Sequence, residues 1–164
     1  MNLQTISSLT GIISSAAVTL SLVFLIVSIR QNTNSQRVLA VQSLASSIAA
    51  INIPAMESPE LGMALAATAK DWKSATREQR VLAHFFLFSY FKLAETAWYQ
   101  HQTGVLESAQ WNGWESVVRS FYHADGVKQG WWPHRGFAYS PAFQSYLAQT
   151  QPPSGIGGLH EVFG

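Results

Sequence analysis

The sequence predicts an all-α protein: one N-terminal transmembrane helix continuing into a cytoplasmic bundle of four or five helices. Three observations carry that prediction. The stretch from Leu3 to Ile29 holds no charged side chain, and the first is Arg30. Beyond it, apolar residues recur at three- and four-residue spacing, the period of an amphipathic helix. Those segments open on Ser-Pro or Thr-x-x-Gln pairs, which are helix-start signals, and no alternating strand pattern interrupts them.

The first stretch is the anchor. A bilayer core takes about 20 mainly apolar residues as helix, and Leu20-Ser21-Leu22-Val23-Phe24-Leu25-Ile26-Val27 closes the run. The expected division is 1–29 as transmembrane anchor, 30–149 as helical domain and 150–164 as a Pro/Gly-rich tail. A cleaved signal peptide would carry a basic start and a small-residue cleavage site. Met1-Asn2-Leu3-Gln4 has no basic side chain, and the apolar core runs straight into Arg30, so an uncleaved anchor is favoured. Basic flanks stay on the cytoplasmic side, and Arg30 and Arg37 follow the span. The expected topology is therefore N-terminus out and domain in the cytoplasm. Ser7, Gly11, Ser15 and Thr19 form a stripe of small residues at every fourth position. Such a stripe permits close approach to another membrane helix, although small residues are also common in spans that make no such contact.

Composition removes several classes. Charged residues make up 12%, about half the usual share. The net charge is +1 and the basic residues are scattered, so nucleic acid is not an expected partner. The chain has no cysteine, which rules out disulfides, a thiol nucleophile and thiolate metal sites.

Along the domain, Arg30 to Arg37 is polar but holds neither Pro nor Gly, so the anchor helix is expected to continue through it. Val38, Val41, Leu44, Ile48 and Ile51 then form an amphipathic face, and Pro54 is expected to end the helix. Ser58-Pro59-Glu60 opens a short helix with Leu61, Leu65 and Trp72 inward. Thr76 with Gln79 is a capping box; its helix runs to Gln102, where Gly104 suits a C′ glycine. The middle of that helix, Val81 to Phe91, is apolar nearly all round, which predicts burial on every side as the central helix of the bundle, with a shallow membrane contact as the alternative. Glu107 to Tyr122 carries Trp111, Trp114, Val118 and Phe121 on one stripe, widened by Val117. Ala124-Asp125-Gly126 is expected to end it, and Gly130 to Gly136 to form a short turn or helix broken by Pro133. Ser140-Pro141 starts a last helix carrying Phe143, Tyr146 and Leu147. Leu159, Val162 and Phe163 in the tail suit docking on the body or on a partner.

These landmarks fall into a pattern. The span running into Ile29-Arg30-Gln31-Asn32-Thr33 comes first, then Glu95 with Tyr99-Gln100, Gly104-Val105-Leu106 and Trp111. Trp131-Trp132 and Phe137-x-x-Ser140-Pro141-x-Phe143 complete it. Over roughly residues 10 to 147 the chain resembles a widespread family of small, uncharacterised bacterial single-span membrane proteins. The resemblance implies an anchor plus a helical domain in the bacterial cytoplasmic (inner) membrane, and says nothing about chemistry.

Few residues invite a chemical role. Glu95 lies eleven positions after His84, on the face shared by Phe88 and Phe91. A carboxylate among aromatics must be paired, hydrogen-bonded or protonated. A structural ion pair is expected, with Arg119 as first partner and Arg135 as second; Arg80 is also within consideration. The competing function for Glu95 is acid–base or metal chemistry with a core histidine. None of His84, His101, His123, His134 and His160 stands three or four residues from another, and no H-E-x-x-H occurs. No phosphate loop or nucleophile elbow appears, so no cofactor is expected. Trp131 and Trp132, beside His134 and Arg135, suit a headgroup region or an interface hot spot; alternatively one ring closes the bundle. The expectation is a non-catalytic membrane-anchored interaction protein, an accessory or scaffold subunit. Its partners would be membrane lipid and other membrane subunits, or a second copy through the transmembrane helix. The alternative is an enzyme or sensor built on Glu95.

Overall fold

The computed structural model describes residues 3–154, with side chains from Ser14 onward apart from Met56. Every regular element in it is helical. The order is α1 (Leu3–Glu57), α2 (Pro59–Lys70), α3 (Arg77–Gln102), α4 (Ser108–His123), a π-helical turn (Gly126–Trp131), α5 (Trp132–Arg135), a 3-10 turn (Gly136–Ala138) and α6 (Pro141–Gln149). The chain divides into two compact units after Leu39.

The first unit is α1 up to Leu39. Its large side chains are bare: Leu20 is 70% exposed, Phe24 74% and Ile29 56%. Its hydroxyls turn inward instead. Thr19 Oγ1 donates to the Ser15 carbonyl at 2.9 Å, Ser21 Oγ to Ala17 and Thr33 Oγ1 to Ile29. Each of these three donors is satisfied by its own helix. Between Ser14 and Ala55, α1 is long and apolar enough to cross a membrane. The polar Arg30–Arg37 segment stays helical, as its lack of breakers predicts. Pro54 does not end α1, which runs on to Glu57. A proline forfeits one backbone bond, to the carbonyl four residues back, and one turn from the end of the helix that loss is tolerated.

The second unit starts at Ala40, and the C-terminal part of α1 joins its core through Leu44. The local helix signals act as expected. Ser58 Oγ accepts from Leu61 N at 3.3 Å. Thr76 and Gln79 complete a reciprocal capping box, Gln79 N to Thr76 Oγ1 at 3.2 Å and Thr76 N to Gln79 Oε1 at 2.9 Å. Gly104, at φ +73°, follows the Thr103 cap of α3, a conformation that costs glycine nothing. Ser140 Oγ caps α6 by accepting from Phe143 N.

The core is aromatic. Phe91, Phe143, Leu87, Leu147, Val118 and Val127 are essentially sealed. Phe91 stacks on Trp131, with ring centres 5.7 Å apart, and meets Trp132 edge-on at 5.1 Å. Trp132 stacks in turn on Tyr139. Such pairs each add about 0.5–1.5 kcal/mol beyond area burial.

Two expectations about burial fail. The Val81–Phe91 run is not covered all round: Ala83, Leu87, Tyr90 and Phe91 face the core, while Phe85 is 66% exposed and Val81 47%. The principal neighbour of α3 is α2, a helix of only 12 residues, too short to enclose it. Val117 likewise stays exposed rather than widening the buried stripe of α4.

Ala124-Asp125-Gly126 ends α4 as expected: the helix stops at His123, and Ala124 is extended. After a bend at Ala124, the backbone re-enters a helix as a π turn. Glycine makes this possible. A Cβ on Gly126 would stand 1.9 Å from the Thr68 carbonyl oxygen, and one on Gly130 would stand 2.2 Å from Trp72 Cβ. The G-x-x-x-G spacing puts two bare backbones against α2 and the Trp72 that follows it.

Candidate functional site

Glu95 is the centre of a connector between α3 and α6. Its Oε1 accepts the Ser140 N–H at 2.6 Å, and its Oε2 takes Lys92 Nζ at 3.0 Å. Lys92 Nζ also donates to the Ala138 carbonyl and lies 4.6 Å from the centre of the Tyr139 ring. The Glu95 side chain is 12% exposed. Burial pushes its carboxyl up, but the Ser140 N–H and the Lys92 ammonium outweigh it and hold the group below its ordinary range. A carboxylate so held stays ionised and fixed, and both oxygens are engaged in positioning the start of α6.

The expected arginine partners are a correction. Arg119 is committed elsewhere: its Nε donates to the Gln151 carbonyl at 2.7 Å and its Nη2 to Pro152 at 3.5 Å. It therefore pins the residues after α6 to α4. Arg135 is exposed and makes no ion pair with Glu95. Lys92 wins because it sits three residues earlier on the same helix, where side chains meet without any tertiary arrangement. That i, i+3 pair is legible in the sequence, because both residues lie on one helix.

His84, His101 and His123 are hydrogen-bonded members of the fold. Trp131 Nε1 donates to His84 Nδ1 at 3.1 Å. An indole nitrogen can only donate, so His84 carries its proton on Nε2 and is neutral. Burial, with Arg135 nearby, depresses its basicity. His123 is fixed in the same way. Thr150 Oγ1 gives its proton to Leu147 O and so accepts from His123 Nε2 at 3.0 Å, while Lys128 Nζ approaches Nδ1 at 3.2 Å. Burial and Lys128 lower the His123 pKa. His101 stacks on Trp111 with Nδ1 toward the Leu106 carbonyl. Among the described residues, no three His, Asp or Glu side chains gather where they could share a metal ion.

Trp131 is 1% exposed, which removes it as an interface aromatic; its ring closes the bundle. Trp132 is half-buried against the same core. The membrane stripe is seen in part. Ser15 and Thr19 are exposed on α1, while the side chains of Ser7 and Gly11 lie outside the described residues, as do Leu159, Val162, Phe163 and His160.

Two of the concavities on the second unit bear on function. One, about 480 Å³, is an apolar trough between α1 and α4, lined by Val41, Leu44, Ile48, Trp114 and Val117 with Tyr90. The Tyr90 hydroxyl has no hydrogen-bond partner among the described residues. The other, about 440 Å³, lies between the start of α3 and α5. Arg77, Arg80 and His84 line it from α3, and His134 and Arg135 from α5, over Trp72, Val81, Phe85 and Trp131. Its signals in the sequence were Arg77-x-x-Arg80 and His134-Arg135, but nothing local shows that α5 folds back beside α3.

No protein-family model matches the chain, and no curated protein or solved structure matches it either.

Proposed function

We propose that the protein is a membrane-anchored, non-catalytic interaction protein, an accessory or scaffold subunit of a larger membrane complex. One observation carries the reading. Along α1 from Val18 to Ile29 the large apolar side chains are between 44% and 74% exposed, and the Thr19 and Ser21 hydroxyls among them are bonded within the helix. Water is a costly environment for that surface, at about 25 cal/mol per Å², and lipid or another membrane helix is a favourable one. The positions of Arg30 and Arg37 after the run support an N-terminus outside and the helical domain in the cytoplasm. The resemblance to bacterial single-span membrane proteins belongs to the same proposal and points to the inner membrane. Glu95, with both oxygens engaged by Ser140 and Lys92, supports a structural rather than a chemical role for that carboxylate.

The test has two parts. The chain is expected to stay in the membrane pellet through an alkaline carbonate wash, and a cytoplasm-only reporter fused after Gly164 is expected to be active. Release by carbonate would overturn the anchor, and activity of a periplasm-only reporter at that position would overturn the orientation. Solubilised from native membranes in mild detergent, the chain is expected to migrate with a defined membrane partner. Migration as a lone monomer would end the subunit reading.

A further inference from the structure

We propose that the cleft between the start of α3 and α5 binds a phosphate ester that carries an apolar chain, the chemistry of an anionic phospholipid. Charge is the first argument. Arg77 and Arg135 reach the cleft from two elements, both exposed, and neither pairs with a carboxylate among the described residues. No Asp or Glu lines the space. Glu78, which acts on Arg80 electrostatically, lies outside the lining. Arg80 spends its Nη1 on the Lys73 and Ala75 carbonyls, so it is a fixed part of the wall. Paired guanidinium groups converging on one space suit a phosphate, which accepts several charge-assisted bonds at once.

Second, His84, which lines the cleft, adds a donor. With Nδ1 occupied by the Trp131 indole, His84 presents an Nε2–H that has no acceptor in the described chain. The same face therefore offers a neutral donor beside the two cations, which is what a phosphate or ester oxygen requires.

The third argument is the rim. Phe85 and Val81 are 66% and 47% exposed where they border the arginines. A free phosphate gains nothing from them; the tail of an amphiphile covers them. Lipid binding in the cleft is independent of the membrane anchor, whose own test is carbonate extraction.

The experiment is native mass spectrometry of the delipidated full-length chain in neutral detergent, titrated with phosphatidylglycerol, phosphatidylcholine or glycerol phosphate. The first phosphatidylglycerol is expected to bind at least tenfold more tightly than phosphatidylcholine, and glycerol phosphate more weakly than either. Arg77→Ala with Arg135→Ala should remove that preference and leave phosphatidylcholine binding unchanged. Lys70→Ala with Lys128→Ala, which removes the same charge elsewhere on the surface, should keep it. Phe85→Ser, at an exposed position, should weaken phosphatidylglycerol and leave glycerol phosphate unaffected. Persistence of the preference in the double-arginine variant overturns the proposal. So does an equal loss in the lysine control, and so does glycerol phosphate binding as tightly as the lipid.

Discussion

Gly126→Ala tests the contact on which the second half of the domain depends. The added carbon would lie 1.9 Å from the Thr68 carbonyl oxygen, 2.9 Å from Trp72 N and 3.0 Å from Thr68 C. An unbonded carbon and oxygen sit about 3.3 Å or more apart, so the π turn and α2 must separate by roughly 1.4 Å, the difference of those distances. The obstructing atoms are backbone, so no rotamer change relieves them. The layer that must open holds Thr68, Val127 and Trp131, each about 1% exposed. A gap of 0.5–1 Å already forfeits a quarter to a half of each dispersion contact, and overpacking costs about 1–3 kcal/mol. The upper end applies, offset by about 1 kcal/mol from alanine's helix preference. The expected net loss is about 2 kcal/mol, or about 4–8 °C in Tm. The assay is thermal unfolding of the full chain in neutral detergent, followed in the near-ultraviolet circular dichroism of the buried tryptophans. Gly62→Ala and Gly113→Ala provide the opposite sign, because a Cβ at either meets nothing within 4 Å; both should hold or raise Tm. A Gly126→Ala chain that melts at or above the native temperature refutes the close-packing argument.

Three further outcomes are expected. Glu95 is held below its unfolded value of 4.5, so its contribution is full above that pH and fades as pH falls through the lower folded value. Glu95→Gln should cost about 1–3 kcal/mol at neutral pH and flatten the acid limb of a stability–pH curve, whereas Arg119→Ala should leave that limb unchanged and speed proteolysis after Gln149. His84 and His123 are both held below 6.5 by their surroundings, so the unfolded chain binds their protons more readily and stability should fall as pH drops below 6.5. Replacing both with Gln should flatten that region, and an unchanged slope would contradict the neutral tautomers. Gly11→Ile with Ser15→Leu, which adds bulk to the small-residue stripe of α1, should abolish association in a membrane two-hybrid assay; undiminished association means that the stripe faces lipid.

Local physics explains what the sequence by itself determined. The run from Leu3 to Ile29, the unbroken passage through Arg30–Arg37, the Ser58 and Ser140 caps, the Thr76–Gln79 box and Gly104 all depend on residues within a few positions of one another. Each is legible because the interacting groups are neighbours in the chain. The Glu95–Lys92 pair was equally local. The sequence identified Glu95 as a carboxylate needing a partner, and a helical neighbour supplied it. Tertiary structure alone decided the remainder. Whether Val81 and Phe85 are covered depends on the length of α2, not on their own hydrophobicity. Gly126 and Gly130 read as punctuation until α2 lies against them, and then they are the only residues that fit. Trp131 turns inward because Phe91 and His84, some forty residues earlier, offer a ring face and an acceptor. The arginines of α3 and α5 form one cleft only because the π turn carries α5 back beside the start of α3. Such pairings join residues far apart in the chain, and no periodicity or cap signal encodes a distance of that kind.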